Sequence, residues 1–159
     1  MVDTKLADAC DDLLAAAVDA LGDRAPTGAY VEAGPLVADP APGCDQLIVF
    51  PVSVGLTPIG SGQACVIVPR ARLGVRLTLG CGPTAQQPTD EQRSEFARRV
   101  NEDGWTLWKG IAARRRGTPN PLFPRVTTEP NDIDLADLVP HGPQGAASGW
   151  RFDVTVTIR

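Results

Sequence analysis

The chain is poor in the side chains on which most catalytic and metal chemistry depends. Its 159 residues include one histidine, His141, one methionine and one tyrosine, and aromatic residues make up 5%. The four cysteines, Cys10, Cys44, Cys65 and Cys81, form no CxxC pair. With one histidine available, that spacing argues against a zinc site. There is no GxSxG, no GxxxxGK[ST] and no GxGxxG following a strand, so no catalytic residue, metal ligand or cofactor is expected. Long apolar runs are missing too. None approaches the ~18 residues of a membrane helix, and Asp8, Asp11 and Asp12 interrupt the first apolar stretch where a secretion leader would need its core. The expectation is synthesis and use in a cytosol, or in a particle assembled there. That setting makes a disulfide through Cys44 an outside alternative and Cys65 and Cys81 small core residues.

What is present suits one domain with a real core. The hydrophobic fraction is 43% and the charged fraction 21%, and the length allows substantial burial. Sixteen glycines and fifteen prolines sit mostly between periodic segments, which predicts a compact body carrying long loops. The net charge of −4 opposes a surface-wide nucleic-acid footprint. Thirteen arginines stand against two lysines, Lys5 and Lys109, a bias that GC-rich coding explains without function.

Residues 3–21 predict a helix, with Leu6, Cys10, Leu13, Leu14, Ala17, Val18 and Leu21 on one stripe, Asp3 or Thr4 at its start and Gly22 at its end. A short extended piece over 28–33 and a Pro-rich stretch over 34–43 follow. Residues 45–54 read as a buried strand, apolar on both parities, in which Pro51 implies an edge or a bulge. Residues 57–63, with Pro58, Gly60 and Gly62, read as a flexible hairpin-like connection. From Cys65 to Cys81 the odd positions are apolar, and the even ones include Arg70, Arg72 and Arg76. That alternation predicts a strand of up to ~55 Å, which must bend near Pro69 and Gly74 or leave the domain as an arm. Thr89 and Gln92 form a capping box for a second helix that carries Phe96, Val100, Leu107, Trp108 and Ile111 inward and ends at Arg114, Arg115, Arg116 and Gly117. Gly104 within it implies close packing against another backbone. After a Pro-rich loop over 118–130, residues 131–139 are a short strand or turn and 141–149 a Gly-rich loop. Trp150 to Ile158 alternates as a last strand. The order is α, β, β, β, α, β, an α+β fold with a small, mainly antiparallel sheet and both helices packed on it.

Candidate chemistry is sparse. The carboxylate pairs Asp11–Asp12 and Glu102–Asp103 read as solvated helix faces, and His141 as a loop histidine. Arg114 to Arg116 read as compensation of a helix C-terminus, with DNA contact as the alternative. Trp105 and Trp108 share a helix face and read as core. The Arg70, Arg72, Arg76 row admits a screened solvent face or a charged contact face.

Four segments carry a resemblance: CDQLIVF at 44–50, LGCGPT at 79–84, DGWTLWKGI at 103–111 and HGPQGAASGWRFDVTVTI at 141–158. With the long alternating strand they resemble the tail terminator, a small neck (head-to-tail connector) protein of long-tailed bacteriophages of high-GC actinobacterial hosts. The resemblance implies a structural virion subunit rather than an enzyme. Such subunits form a ring, typically a hexamer, at the head-proximal end of the tail tube. One face of the ring ends tube growth and the other joins the head-completion (stopper) proteins. Its partners would be itself, the tail tube protein and the stopper, with no membrane contact and DNA only passing through the lumen. It would reside in the virion tail or neck after assembly in host cytoplasm. The family offers no residue motif to transfer, so the contact candidates come from this sequence: Arg70, Arg72 and Arg76 for the inter-subunit or lumen face, and Pro58, Ile59, Gln63, Leu122, Phe123 and Arg125 in docking loops, with Leu122 and Phe123 as apolar anchors. A head-completion or minor tail protein, or a small cytosolic binding domain or enzyme, are the alternatives.

Overall fold

The computed structural model describes residues 3–34, 45–80, 87–115, 119–144 and 147–159. Cys44, Cys81, Arg116 and Gly117 lie outside them, as does most of the Pro-rich stretch over 34–43. Helix α1 spans Lys5–Leu21, with Gly22 at its end at φ 55. The Asp3 carboxylate accepts the Lys5 N–H at 3.0 Å, which supplies the start that Thr4 does not cap itself. Helix α2 spans Asp90–Arg115. Its capping box is formed as the sequence predicts: Thr89 N–H donates to Gln92 Oε1 at 3.0 Å, and Gln92 N–H to Thr89 Oγ1 at 3.2 Å.

Six strands make one sheet: β1 Gly28–Val31, β2 Asp45–Ile59, β3 Val66–Leu79, β4 Ile133–Leu135, β5 Val139–Gln144 and β6 Ala147–Thr157. The order is β1-β2-β3-β6, with β4 and β5 both paired to the outer side of β6. Only β1 with β2 is parallel; the other four pairings are antiparallel. The fold is therefore α+β with a small, mainly antiparallel sheet. Two readings need correction. Residues expected as a Gly-rich loop begin in β5, so His141 stands on a strand, opposite Gly149. The last strand begins at Ala147, earlier than Trp150. Gly and Pro misled the reading because an edge hairpin tolerates them.

Both helices cover one side of the sheet. There Leu13, Ala17, Leu107 and Ile111 meet Leu47, Val49, Leu73, Val75, Leu77, Phe152 and Val154 in one core. Leu122 and Phe123 belong to it as well, at 1% and 0% exposure. They are corrected from exposed docking anchors to core plugs: the Pro-rich loop folds inward, and two bulky apolar side chains gain more by burial than by waiting for a partner. Gly104 packs against an indole rather than the expected backbone. A Cβ there would stand 2.2 Å from Trp150 Cδ1, so Trp150 closes the core end on α2.

The long strand leaves the body. β6 pairs with β3 only as far as Arg70 opposite Thr157, and β1 accompanies β2 only to Val49. Beyond those points, among the described residues, β2 and β3 pair with each other alone, up to Ile59 opposite Val66. A register shift between Pro51 and Ser53 inserts Val52 as an extra residue. A bulge of one residue exchanges the two faces of a strand. Before it, odd residues of β2 (Leu47, Val49) face the core; after it, even residues (Val54, Leu56, Pro58) take that side. Ile48 and Phe50, before the bulge, are buried on the opposite side, and with Val54 moved to the core side by the bulge this accounts for the apolar content on both parities. Pro51, with no N–H to offer, occupies the bulge where the outer side of β2 has no neighbour.

Candidate assembly surface

The β2–β3 arm is the candidate site. Val54, Leu56 and Pro58 stand opposite Ala71, Pro69 and Ile67, so six apolar residues line one side of the arm, continuous with the side that packs the core. Ala71 is buried, but Leu56 is 74% exposed and Ile67 65%. Val54 and Val66 are exposed too. Between Asp45 and Arg70 the chain carries no charged residue. Among the described residues, no strand lies beside the outer β2 edge beyond Val49. Protein surfaces ordinarily blunt such an edge with lysine or proline, and Pro51 and Pro58 are the only such devices here.

The tip is fixed by glycine. Gly60 sits at φ 95, and a Cβ on it would stand 2.7 Å from the Ala64 carbonyl oxygen; Gly62 sits at φ 64 and opens a short 3₁₀ turn through Ala64. Gly60→Ala should loosen the tip by about 1–2 kcal/mol while leaving the body intact, read as faster amide exchange confined to residues 57–68. Cys65, expected in the core, is exposed at this tip, because the strand's alternation continues past the point where the body ends. Pro58 and Ile59 lie in the strand of the arm and Gln63 in its turn, so these three candidates share one structure.

The arginine row is on the opposite side of the sheet. Arg70 pairs with Asp134 on β4, and Arg72 Nε donates to Asp153 Oδ2 on β6 at 2.6 Å. Arg76 differs. It stands opposite Arg151, and its buried Nε and Nη2 have no hydrogen-bond partner among the described residues. Burial lowers its pKa first, helped by Arg151 and opposed by Tyr30 and Glu32. On the same side Arg151 lies over the Phe50 ring, 5.2 Å from its centroid. His141 Nε2 is 3.2 Å from Thr78 Oγ1. Its pKa is lowered by burial, then by Arg76 and Arg151. A neutral buried imidazole resists the proton that an unfolded chain accepts near 6.5. Stability is therefore complete above that value and falls as pH drops through it toward the lowered folded pKa. Thermal melts of His141→Gln should show a flatter dependence than wild type between about pH 7 and pH 5.

The remaining charged groups are tied within the body. Arg125 is corrected from a docking residue to a staple: its Nε and Nη1 donate to Asp12 Oδ1 at 2.6 Å and Asp8 Oδ1 at 2.9 Å on α1. Asp12, read as solvated, is buried because this guanidinium satisfies it. Asp103, also read as solvated, is 2% exposed, while Glu102 beside it stays outside. Asp103 lines a cleft of about 610 Å³ with Asp23, Arg24, Gly28, Asp45 and Arg99. Burial raises its pKa, opposed by Arg24 and Arg99. Arg24 Nη2 is 2.6 Å from Asp103 Oδ1, close enough for an ion pair yet out of line for a hydrogen bond. Arg99 reaches Asp45 at 2.5 Å and Asp103 at 3.9 Å. Arg24 therefore clasps the α1 exit to α2, and Arg99 clasps α2 to the start of β2. Arg114 pairs with Asp19, and Arg115 donates to the Ile133 carbonyl at 2.8 Å, so both serve helix docking. Trp105, read as core, is exposed and stacks on Trp108 with centroids 5.6 Å apart; Trp108 donates to the Ala136 carbonyl at 3.0 Å.

Among the described residues, no group of three or more His, Cys, Asp or Glu side chains is placed to hold a metal ion, and no helix is long and apolar enough to cross a membrane. No protein-family model and no curated protein matches the chain.

Proposed function

We propose that the chain is a structural subunit of a phage neck, a tail terminator that forms a ring at the head-proximal end of the tail tube and joins tail to head. The observation that carries this reading is the arm: a hairpin that leaves the body with an uncharged, apolar side that none of the described residues covers. Burying Leu56, Ile67 and Val54, which share that side, against a partner is worth about 1.5–3 kcal/mol for each side chain fully covered. A partner is the ordinary reason for so much exposed apolar surface. A contact in which one copy's arm sits on the next is heterologous, and it closes into a ring when the rotation allows. On this reading the protein is not an enzyme and needs no cofactor. Its partners are itself, the tube protein and the stopper protein, it resides in the virion neck after assembly in host cytoplasm, and DNA only passes through the lumen.

The test is tube growth in vitro. Tube protein from the genome that encodes this chain is polymerised with and without it, and lengths are measured by electron microscopy. The expected result is shorter tubes bearing a density at one end. An unchanged length distribution with bare ends contradicts the reading.

A further inference from the structure

Between α2 and the β5–β6 hairpin lies a groove of about 200 Å³, lined among others by Phe96, Ala97, Val100, Asn101, Pro140 and Trp150. Among the described residues no charged one lines it, in a chain whose charged fraction is 21%. Its histidine, His141, is held toward the neutral form by burial. The Trp150 indole N–H is buried against α2 at Gly104 and has no hydrogen-bond partner among the described residues. Exposed Trp105, stacked on Trp108, continues α2 away from it.

The groove and the arm match in character and lie where one copy cannot bring them together. The arm belongs to β2 and β3, while the groove lies at the β5 edge on the far side of β6. Along β3 the groove is level with Thr78, which pairs with Gly149, whereas the arm begins beyond Arg70. Those positions are about 26 Å apart along the strand, at ~3.3 Å per residue. An uncharged apolar arm and an uncharged apolar groove, at opposite edges and opposite ends of one sheet, are a donor and a receptor for different copies. The groove holds about one or two aliphatic side chains, and an extended strand laid along it can set its apolar side chains inward.

From this we infer that the groove between α2 and β5–β6 is the seat for the arm of a second copy of this chain, entered by the side that carries Leu56 and Ile67. The inference rests on the ring reading and names its receptor.

Mixing two variants tests it. Leu56→Glu spoils the arm and keeps the groove. Ala97→Arg, on the exposed rim of the groove, spoils the seat and keeps the arm; Asn101→Arg is a second variant of the same kind. Each alone should lose self-association by at least about 100-fold and sediment as a monomer. Mixed in equal amounts, Leu56→Glu and Ala97→Arg keep one intact arm and one intact seat between them. They should form a species of twice the 16.8 kDa chain mass and nothing larger. If both groove variants assemble like wild type while Leu56→Glu does not, the seat is overturned and the ring reading stands. If the mixture yields no heterodimer, arm and groove do not meet. A wild-type chain that stays monomeric under the same conditions overturns the receptor and its ring in solution together.

Discussion

Cutting the arm short should abolish assembly and leave the fold untouched. Deleting residues 58–67 and closing Thr57 to Val68 with an Asn-Gly turn preserves a cross-strand pair that already exists, Thr57 opposite Val68, and Asn-Gly is the favoured two-residue hairpin connection. The removed segment contributes no residue to the buried core. The melting temperature of the monomer should therefore change little. Solubility should rise, because exposed Ile67 and Val66 are gone and the free strand edge is shorter. Assembly, measured by light scattering, should disappear, and tubes grown with the shortened chain should reach the length of tubes grown alone. A shortened chain that still forms rings would remove the arm from the account.

The largest loss of stability is expected at Phe123. Its side chain is fully buried with Leu122 beside it, carried on a loop that reaches the core from outside the sheet. Phe123→Ala removes a ring from a close-packed interior and should cost about 3–5 kcal/mol in urea or thermal unfolding. The loop is held by its own hydrogen bonds, Val126 and Thr127 N–H to the Phe123 carbonyl, and by Arg125 on Asp8 and Asp12. It cannot readily move inward to fill the space, so the loss should fall at the upper end of that range. A loss below about 1 kcal/mol would mean that Phe123 is not a plug, and that its burial comes from a loop free to lift away.

The elements legible in the sequence were those with strong period or chemistry. Both helices, the capping box and the long alternating strand follow from spacing alone, while Pro51 left an edge and a bulge both open. Three things were hidden, each for a physical reason. Asp12 and Asp103 look solvated because a local pattern cannot show that Arg125 and Arg24, distant in sequence, meet them in the fold. Leu122 and Phe123 look like exposed anchors because they lie among prolines, and only the tertiary path of the loop turns them inward. The groove could not be read at all, since Ala97 and Pro140 come together across two elements. Trp105 carried a weak signal: three residues before Trp108, it is off the a/d-like stripe of Val100, Leu107 and Ile111. The arm itself was half visible, as a strand too long for its body. Its apolar side was not, because the bulge shifts β2 by one residue and hides Val54, Leu56 and Pro58 in what looks like a doubly apolar run.

The most direct test of arm-mediated ring formation is the sedimentation mass of the full chain over a range of concentrations, alone and with tube protein. The predicted result is a closed assembly at a whole multiple of 16.8 kDa, six being the expected number, formed in solution or on tube ends. A chain that remains a monomer in both conditions, with its arm still exposed, would contradict it.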